Sequence, residues 1–175
     1  MKSTLLAAFA APSIALASIG IGPGVSDDRA YGARIAQLTE TEAAAHGAAR
    51  FVRADLDGSG SLDADEYVSL VLVTAELSRL NGFVALAAGG RDEVVALPLD
   101  APGALGVGER SRVEAVARGE FYAIAGSDGL MSASEHAEEA ARRFAAADRD
   151  RSGVLSKREL EAFAGREALF SRPSA

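Results

Sequence analysis

The 175-residue chain contains no cysteine, no tryptophan and only two histidines, His46 and His136. Without cysteine the chain can form no disulfide, no thiolate zinc site and no iron–sulfur cluster, and it has no cysteine nucleophile. Two histidines also argue against a multi-histidine catalytic metal centre. The 18 basic and 25 acidic residues give a net charge of −7, whereas binding a phosphate backbone needs clustered Lys and Arg. We therefore expect no nucleic-acid partner, and oxygen is the ligand type left for a metal.

Residues 1–17, MKSTLLAAFAAPSIALA, have the pattern of a secretory signal peptide. Lys2 precedes an apolar run that ends in Ala15-Leu16-Ala17, the small-x-small pattern that signal peptidase accepts. The run is shorter than the roughly 20 apolar residues of a membrane-spanning helix. We expect an exported protein, periplasmic or secreted, with no membrane span after signal removal. A buried N-terminal helix is the alternative. The alanine-rich, arginine-over-lysine composition suggests a bacterial source.

Residues 38–66 recur as residues 131–159, an offset of 93, with 12 identities in 29 positions. A repeat of this density indicates one supersecondary unit used twice. In each copy, apolar residues at helical spacing stand before and after a twelve-residue segment. Each copy is therefore predicted to form a helix, a loop and a second helix.

The two predicted loops, residues 55–66 and 148–159, carry oxygen donors at alternate positions and a glutamate at position 12. A chain that curls around a point aims such donors inward, and Ca²⁺ prefers about six to eight oxygen ligands. A glycine at position 6, Gly60 or Gly153, permits the sharp turn. The predicted ligands are Asp55, Asp57, Ser59, Ser61, Asp63 and Glu66 in the first loop, and Asp148, Asp150, Ser152, Val154, Ser156 and Glu159 in the second.

These loops resemble those of the EF-hand calcium-binding family. The usual signature has Asp or Asn at position 5, where this chain has Ser59 and Ser152. The resemblance implies Ca²⁺ as the bound ion and an all-α fold: an EF-hand helix-loop-helix pair with a short β-bridge between the two metal loops. Leu62 and Leu155, at position 8 of each loop, are expected to meet in that bridge. The implied functions are an exported calcium buffer, a calcium-stabilised module or a sensor.

The two loops differ in charge. Loop 55–66 has five acidic residues and no basic one, for a net charge of −5, whereas loop 148–159 has three acidic and four basic residues, for a net charge of +1. Because affinity follows the ligand charge and the local field, we expect loop 55–66 to bind more tightly.

A degenerate segment precedes each loop. Residues 124–135 keep some family positions, including Asp128 and Glu135, and residues 31–42 keep fewer. Capping boxes, Thr39-x-x-Glu42 and Ser132-x-x-Glu135, are the simpler interpretation, with a weak ion site at 124–135 as the alternative.

Only 12 residues separate each degenerate segment from its intact loop, so a continuous helix places the two at opposite ends. We therefore expect the two intact loops to pair with each other; two lobes, each with an intact and a degenerate loop, are the alternative.

The predicted organisation is a signal peptide, an N-terminal extension, two EF-hands, the insert between them and a tail. Residues 82–111 contain several glycines and prolines and are predicted to be loop with one short strand, followed by a helix near 112–124. The segments are 1–17 (signal), 18–37 (extension), 38–81 (EF-hand 1), 82–123 (insert), 124–170 (EF-hand 2 preceded by the degenerate loop) and 171–175 (tail).

Three alternatives to a simple calcium protein remain. Asp63, the 12-residue spacing and the export signal are similar to the lanmodulin family of periplasmic lanthanide binders, but that family's proline at loop position 2 is replaced by Leu56 and Arg149. The second alternative is a non-catalytic protein-interaction module, stabilised by calcium, with a partner that the sequence does not identify. The third is an enzyme, which the absence of H-E-x-x-H, G-x-S-x-G and P-loop motifs disfavours.

Overall fold

The computed structural model describes residues 34–88, 91–99 and 102–169. The predicted signal peptide, most of the N-terminal extension and the tail lie outside these ranges. The described chain forms five helices and six short strands. The helices are α1 (Glu40–Ala54), α2 (Ala64–Asn81), α3 (Val107–Ile124), α4 (Ala133–Ala147) and α5 (Lys157–Glu167). The strands are β1 (Gln37–Thr39), β2 (Ser61–Leu62), β3 (Phe83–Ala88), β4 (Arg91–Ala96), β5 (Met131–Ser132) and β6 (Val154–Ser156).

The prediction of an all-α fold with short β-pairing at the loops is confirmed. None of the helices in the described ranges is both long and apolar enough to cross a bilayer. The helix expected near 112–124 begins earlier, at Val107, and ends at Ile124.

The predicted bridge between the two intact loops is wrong. Strand β2 pairs antiparallel with β5, which places Leu62 opposite Met131. Strand β6 pairs antiparallel with β1, which places Leu155 opposite Leu38. Each intact loop therefore pairs with a degenerate segment, as in the alternative arrangement, but the partner comes from the other copy of the repeat.

The lengths of α1 and α4 explain this exchange. Each helix has 15 residues and so rises about 22 Å, which separates the segments at its two ends. The two antiparallel ladders require α1 and α4 to run side by side in opposite directions. The end of α1 then meets the start of α4, so an intact loop lies beside a degenerate one at both ends.

Each loop pair has its own hydrophobic core. We call the pair formed by residues 55–66 and 124–135 the first lobe, and the pair formed by 148–159 and 31–42 the second lobe. All four residues at loop position 8 are fully buried between the paired strands and the helices: Leu38, Leu62, Met131 and Leu155. The first core is built on α1, α2, α3 and β5, whereas the second core combines α4, α5 and the segment that follows α2.

That segment, expected to be mainly loop, forms an antiparallel pair of six-residue strands. Strands β3 and β4 pair along their whole length, from Phe83 opposite Ala96 to Ala88 opposite Arg91. Val84 and Leu86 alternate with less buried residues along β3, and Val94 and Val95 of β4 are both 6% exposed. The hairpin therefore belongs to the core of the second lobe rather than to a solvated connection.

If the hairpin is part of that core, Leu86→Ala should lower the free energy of unfolding by about 2–5 kcal/mol, because it removes a fully buried side chain. Leu77→Ala, at a helical site that is 53% exposed, is the matched control and should cost less than about 1 kcal/mol. Urea unfolding followed by circular dichroism measures both, and equal costs would contradict the assignment of the hairpin to the core.

Candidate metal centres

The two intact loops each bring three carboxylates together. Oxygen atoms of Asp55, Asp57 and Glu66 lie within 4.8 Å of one another, and those of Asp148, Asp150 and Glu159 do the same. These residues occupy loop positions 1, 3 and 12, so the chain has curled back on itself as the spacing predicts. Carboxylate groups at this separation can share one hard cation.

Backbone amides hold the first two carboxylates of loop 55–66. The two Asp55 oxygens accept hydrogen bonds from the N–H of Ser59 at 2.9 Å and of Gly60 at 3.0 Å. The Ser59 N–H also donates to Asp57 at 2.9 Å. Hydrogen bonds from the backbone and side chain of Ser59 lower the pKa of Asp57, which keeps that carboxylate ionised. Gly60 has φ 82°, the left-handed conformation that the turn requires.

The position-12 glutamate closes the same loop. The Leu56 N–H donates to Glu66 Oε1 at 2.9 Å, and the Asp63 N–H donates to Glu66 Oε2 at 3.0 Å. Asp63 Oδ1 in turn accepts from the N–H groups of Asp65 and Glu66, both at 2.8 Å. Asp63 and Glu66 thus form a capping box that begins α2. The predicted ligand at position 9 is also the helix cap.

Loop 148–159 repeats much of this geometry. The Ser152 N–H donates to Asp148 and to Asp150, both at 3.0 Å, and the Arg149 N–H donates to Glu159 at 3.0 Å. The Ser152 hydroxyl donates to the Val154 carbonyl at 3.0 Å, just as Ser59 donates to the Ser61 carbonyl at 2.8 Å. The position-5 hydroxyls and position-7 carbonyls therefore lie together in both loops.

The second loop departs from the first at three positions. The Ser156 side chain does not cap α5, whereas Asp63 caps α2. Arg151 has φ 59° and Lys157 has φ 47°, which is unfavourable backbone for residues with a Cβ. At the position equivalent to Arg151, the first loop has Gly58, with φ 70°. The backbone conformation of loop 148–159 is thus less favourable than that of loop 55–66, and the loop is also less acidic.

The degenerate segments have the predicted capping boxes. Thr39 and Glu42 begin α1 with reciprocal hydrogen bonds, and Ser132 and Glu135 begin α4 in the same way. Hydrogen bonds from Ser132 lower the pKa of Glu135. In the part of the chain that the structure describes, groups of three carboxylates close enough for a metal occur in loops 55–66 and 148–159, and not at 124–135.

Two helix-loop-helix units, each with three carboxylates gathered in a twelve-residue loop, define a protein of the class that binds hard cations through loop oxygens. The family model for the EF hand matches residues 48–71 and 141–164, which contain the two loops. These two segments of the chain are therefore EF-hand motifs, as the resemblance of the loops predicts. No curated protein and no solved structure matches the chain significantly.

A buried polar cluster between the lobes was not predicted from the sequence. Arg50 of α1 and Arg143 of α4, equivalent positions of the repeat, both contact the carboxylate of Glu167 at the end of α5. Arg143 also contacts the Tyr67 hydroxyl and Glu120, both at 3.1 Å. Four of the five residues are at most 8% exposed: Arg50, Tyr67, Arg143 and Glu167. The sequence does contain one signal for this cluster: arginine occupies the same position in both copies of the repeat. A helix face that is exposed to solvent would not require the same residue in both copies.

The two histidines flank this cluster. His46 Nδ1 accepts a hydrogen bond from the Ala87 N–H of β3 at 3.0 Å, and its Nε2 lies 3.9 Å from Glu167. The His136 ring contacts the edge of the Phe51 ring at a centroid distance of 5.7 Å. Burial, reinforced by nearby arginines, lowers the pKa of His46 to about 3 and that of His136 to about 4. Both are therefore neutral packing residues at pH 7.

Because free histidine has a pKa of about 6.5, the unfolded state binds more protons than the folded state below that pH. The contribution of the two histidines to the free energy of unfolding of the calcium-free protein should therefore be complete above about pH 6.5. The free energy of unfolding should fall toward pH 5, by up to about 1.4 kcal/mol per pH unit for each histidine. Urea unfolding at pH 7, 6 and 5 measures the slope. His46→Asn and His136→Phe, which keep an acceptor and a ring respectively, should each reduce it, and an unchanged slope in both would contradict the assignment.

Replacing Arg151 tests the backbone strain of the second loop. Arg151→Gly should raise the free energy of unfolding by about 0.5–1 kcal/mol relative to Arg151→Gln, because glycine adopts the left-handed conformation at lower cost. The glutamine variant removes the same charge but keeps the Cβ, so it isolates the backbone effect. Calcium-free thermal or urea unfolding provides the comparison, and a glutamine variant as stable as the glycine variant would argue against strain.

Proposed function

We propose that this protein is an exported calcium-binding protein in which Ca²⁺ bound at loops 55–66 and 148–159 stabilises the fold. The observation that carries this proposal is the pair of three-carboxylate clusters, each inside an EF-hand motif. Export is supported by the signal-like pattern of residues 1–17. In this role the protein is a calcium buffer or a calcium-stabilised module, without catalytic activity.

Each loop offers donors for a hard ion. Asp55, Asp57 and Glu66 would supply carboxylate oxygens, Ser59 its hydroxyl and Ser61 its carbonyl, with the equivalent residues acting in the second loop. Asp63 has one oxygen engaged in capping α2, so its other oxygen would face the ion directly or through water. Because all of these donors are oxygens and none is sulfur or nitrogen, they favour Ca²⁺ over softer metals.

The buried cluster favours a stabilising role over a sensor role. A sensor separates its helices to expose an apolar groove, commonly rich in methionine. Here Met131, the one methionine after the predicted signal peptide, is fully buried. Separating α4 from α5 would also break the buried contact between Arg143 and Glu167.

Calorimetric titration of residues 18–175 tests the two sites separately. We expect Glu66→Gln to abolish the tighter binding event and Glu159→Gln to abolish the weaker one, because each variant removes a carboxylate from one cluster. Glu138→Gln, on the exposed face of α4, is the control and should leave both events unchanged. Equal affinities at the two loops, or a stoichiometry other than two, would contradict the proposal.

The same titration with Tb³⁺ tests the lanthanide alternative. A calcium-binding protein should bind both ions. Its affinity for Tb³⁺ should exceed its affinity for Ca²⁺ only by the preference that any oxygen site has for a trivalent ion. Calcium binding too weak to detect beside tight Tb³⁺ binding would favour the alternative.

Anilinonaphthalene sulfonate fluorescence with and without Ca²⁺ tests the sensor role, which predicts newly exposed apolar surface.

A further inference from the structure

A cavity of about 600 Å³ lies where α2, α3 and α5 meet, away from both carboxylate clusters. One part of its wall is apolar and includes Leu97, Leu105, Val113, Val116 and Leu169. Val116 is 48% exposed, so an apolar surface continues from the wall to the mouth. A volume in the range of about 300–1,000 Å³ is typical of pockets that bind small molecules.

The polar groups of the cavity carry an excess of positive charge. Arg79, Arg112 and Arg166 reach it from three different helices. Its two carboxylates are engaged elsewhere: Glu109 accepts from the Gly106 N–H at 2.8 Å, and Glu120 lies 3.1 Å from Arg143. Within the described residues, no carboxylate forms an ion pair with Arg112 or Arg166, and the whole chain has a net charge of −7. Arg112 donates from Nε to the Gly108 carbonyl of its own helix at 3.3 Å, and the guanidinium groups of Arg112 and Arg166 are otherwise available to a bound anion.

We propose that this cavity binds a small amphiphile with one carboxylate and an apolar chain. The guanidinium groups of Arg112 and Arg166 would pair with the carboxylate, since the planar guanidinium matches carboxylate geometry. Val113, Val116 and Leu169 would cover the apolar chain. This site is separate from the calcium loops, so its existence does not depend on the proposed function.

Binding of three eight-carbon probes to the full chain tests the proposal. Octanoate, octanol and octylammonium have the same chain and differ in charge. We expect octanoate to shift the methyl resonances of Val113 and Val116 and to bind on the order of tenfold more tightly than octylammonium. In the Arg112→Gln/Arg166→Gln variant, octanoate affinity should fall on the order of tenfold while octanol affinity is unchanged.

Arg53→Gln is the control, because it removes an exposed arginine from α1, outside the cavity. It should leave octanoate binding unchanged. The proposal is wrong if no probe binds, if octylammonium binds as well as octanoate, or if the double variant binds octanoate like the unmodified protein. It is also wrong if a chain ending at Leu169 binds octanoate and the full chain does not, because the chain's own C-terminal residues would then cover the cavity.

Discussion

The close approach of α1 and α4 decides the rest of the structure. A Cβ on Gly47 would lie 3.0 Å from the Cβ of Ala140, so the two helices cross with little more than backbone between them. Because both have 15 residues and run in opposite directions, the loops at their ends can meet only in one combination. An intact loop and a degenerate one pair at each end, and a hydrophobic core forms around each pair. The lobes are products of this crossing rather than units of the sequence repeat.

The polar cluster beside that crossing breaks the symmetry of the repeat. Arg50 and Arg143 are equivalent, yet both contact Glu167, whose equivalent is Thr74. Tyr67 likewise binds Arg143 through its hydroxyl, whereas the equivalent residue in the second lobe is Leu160. A buried ion cluster contributes little net stability, but separating its members leaves uncompensated charge. The cluster therefore specifies how α5 lies against α1 and α4 more than it adds to stability.

The sequence predicted what is local and missed what depends on tertiary packing. Loop spacing and capping residues such as Thr39 and Ser132 fixed the helix starts, because those signals act within a few residues. Loop pairing could not be predicted from position 8, because leucine or methionine there packs equally well against any of the others. The hairpin did have a local signal, Gly89-Gly90 between two apolar runs, but the glycines and prolines of the same stretch are equally typical of a linker. The structure brings three carboxylates together in each loop, and the full ligand set stays a prediction.

Because the two loops differ in local structure, a bound ion would stabilise a different part of the protein at each of them. Loop 55–66 already has a capped exit helix and glycine at its left-handed positions, and residues of α1, α2 and α3 build the core beneath it. Loop 148–159 has Arg151 and Lys157 in unfavourable backbone and an uncapped exit helix. That exit helix is α5, which carries Glu159 near its start and Glu167 at its end. A cation bound at the second loop would therefore fix the same helix that the two arginines hold at its other end. The site that we expect to be weaker is thus the one whose occupancy would bear on the contact between the lobes, while the site that we expect to be stronger would complete a lobe that packing already defines.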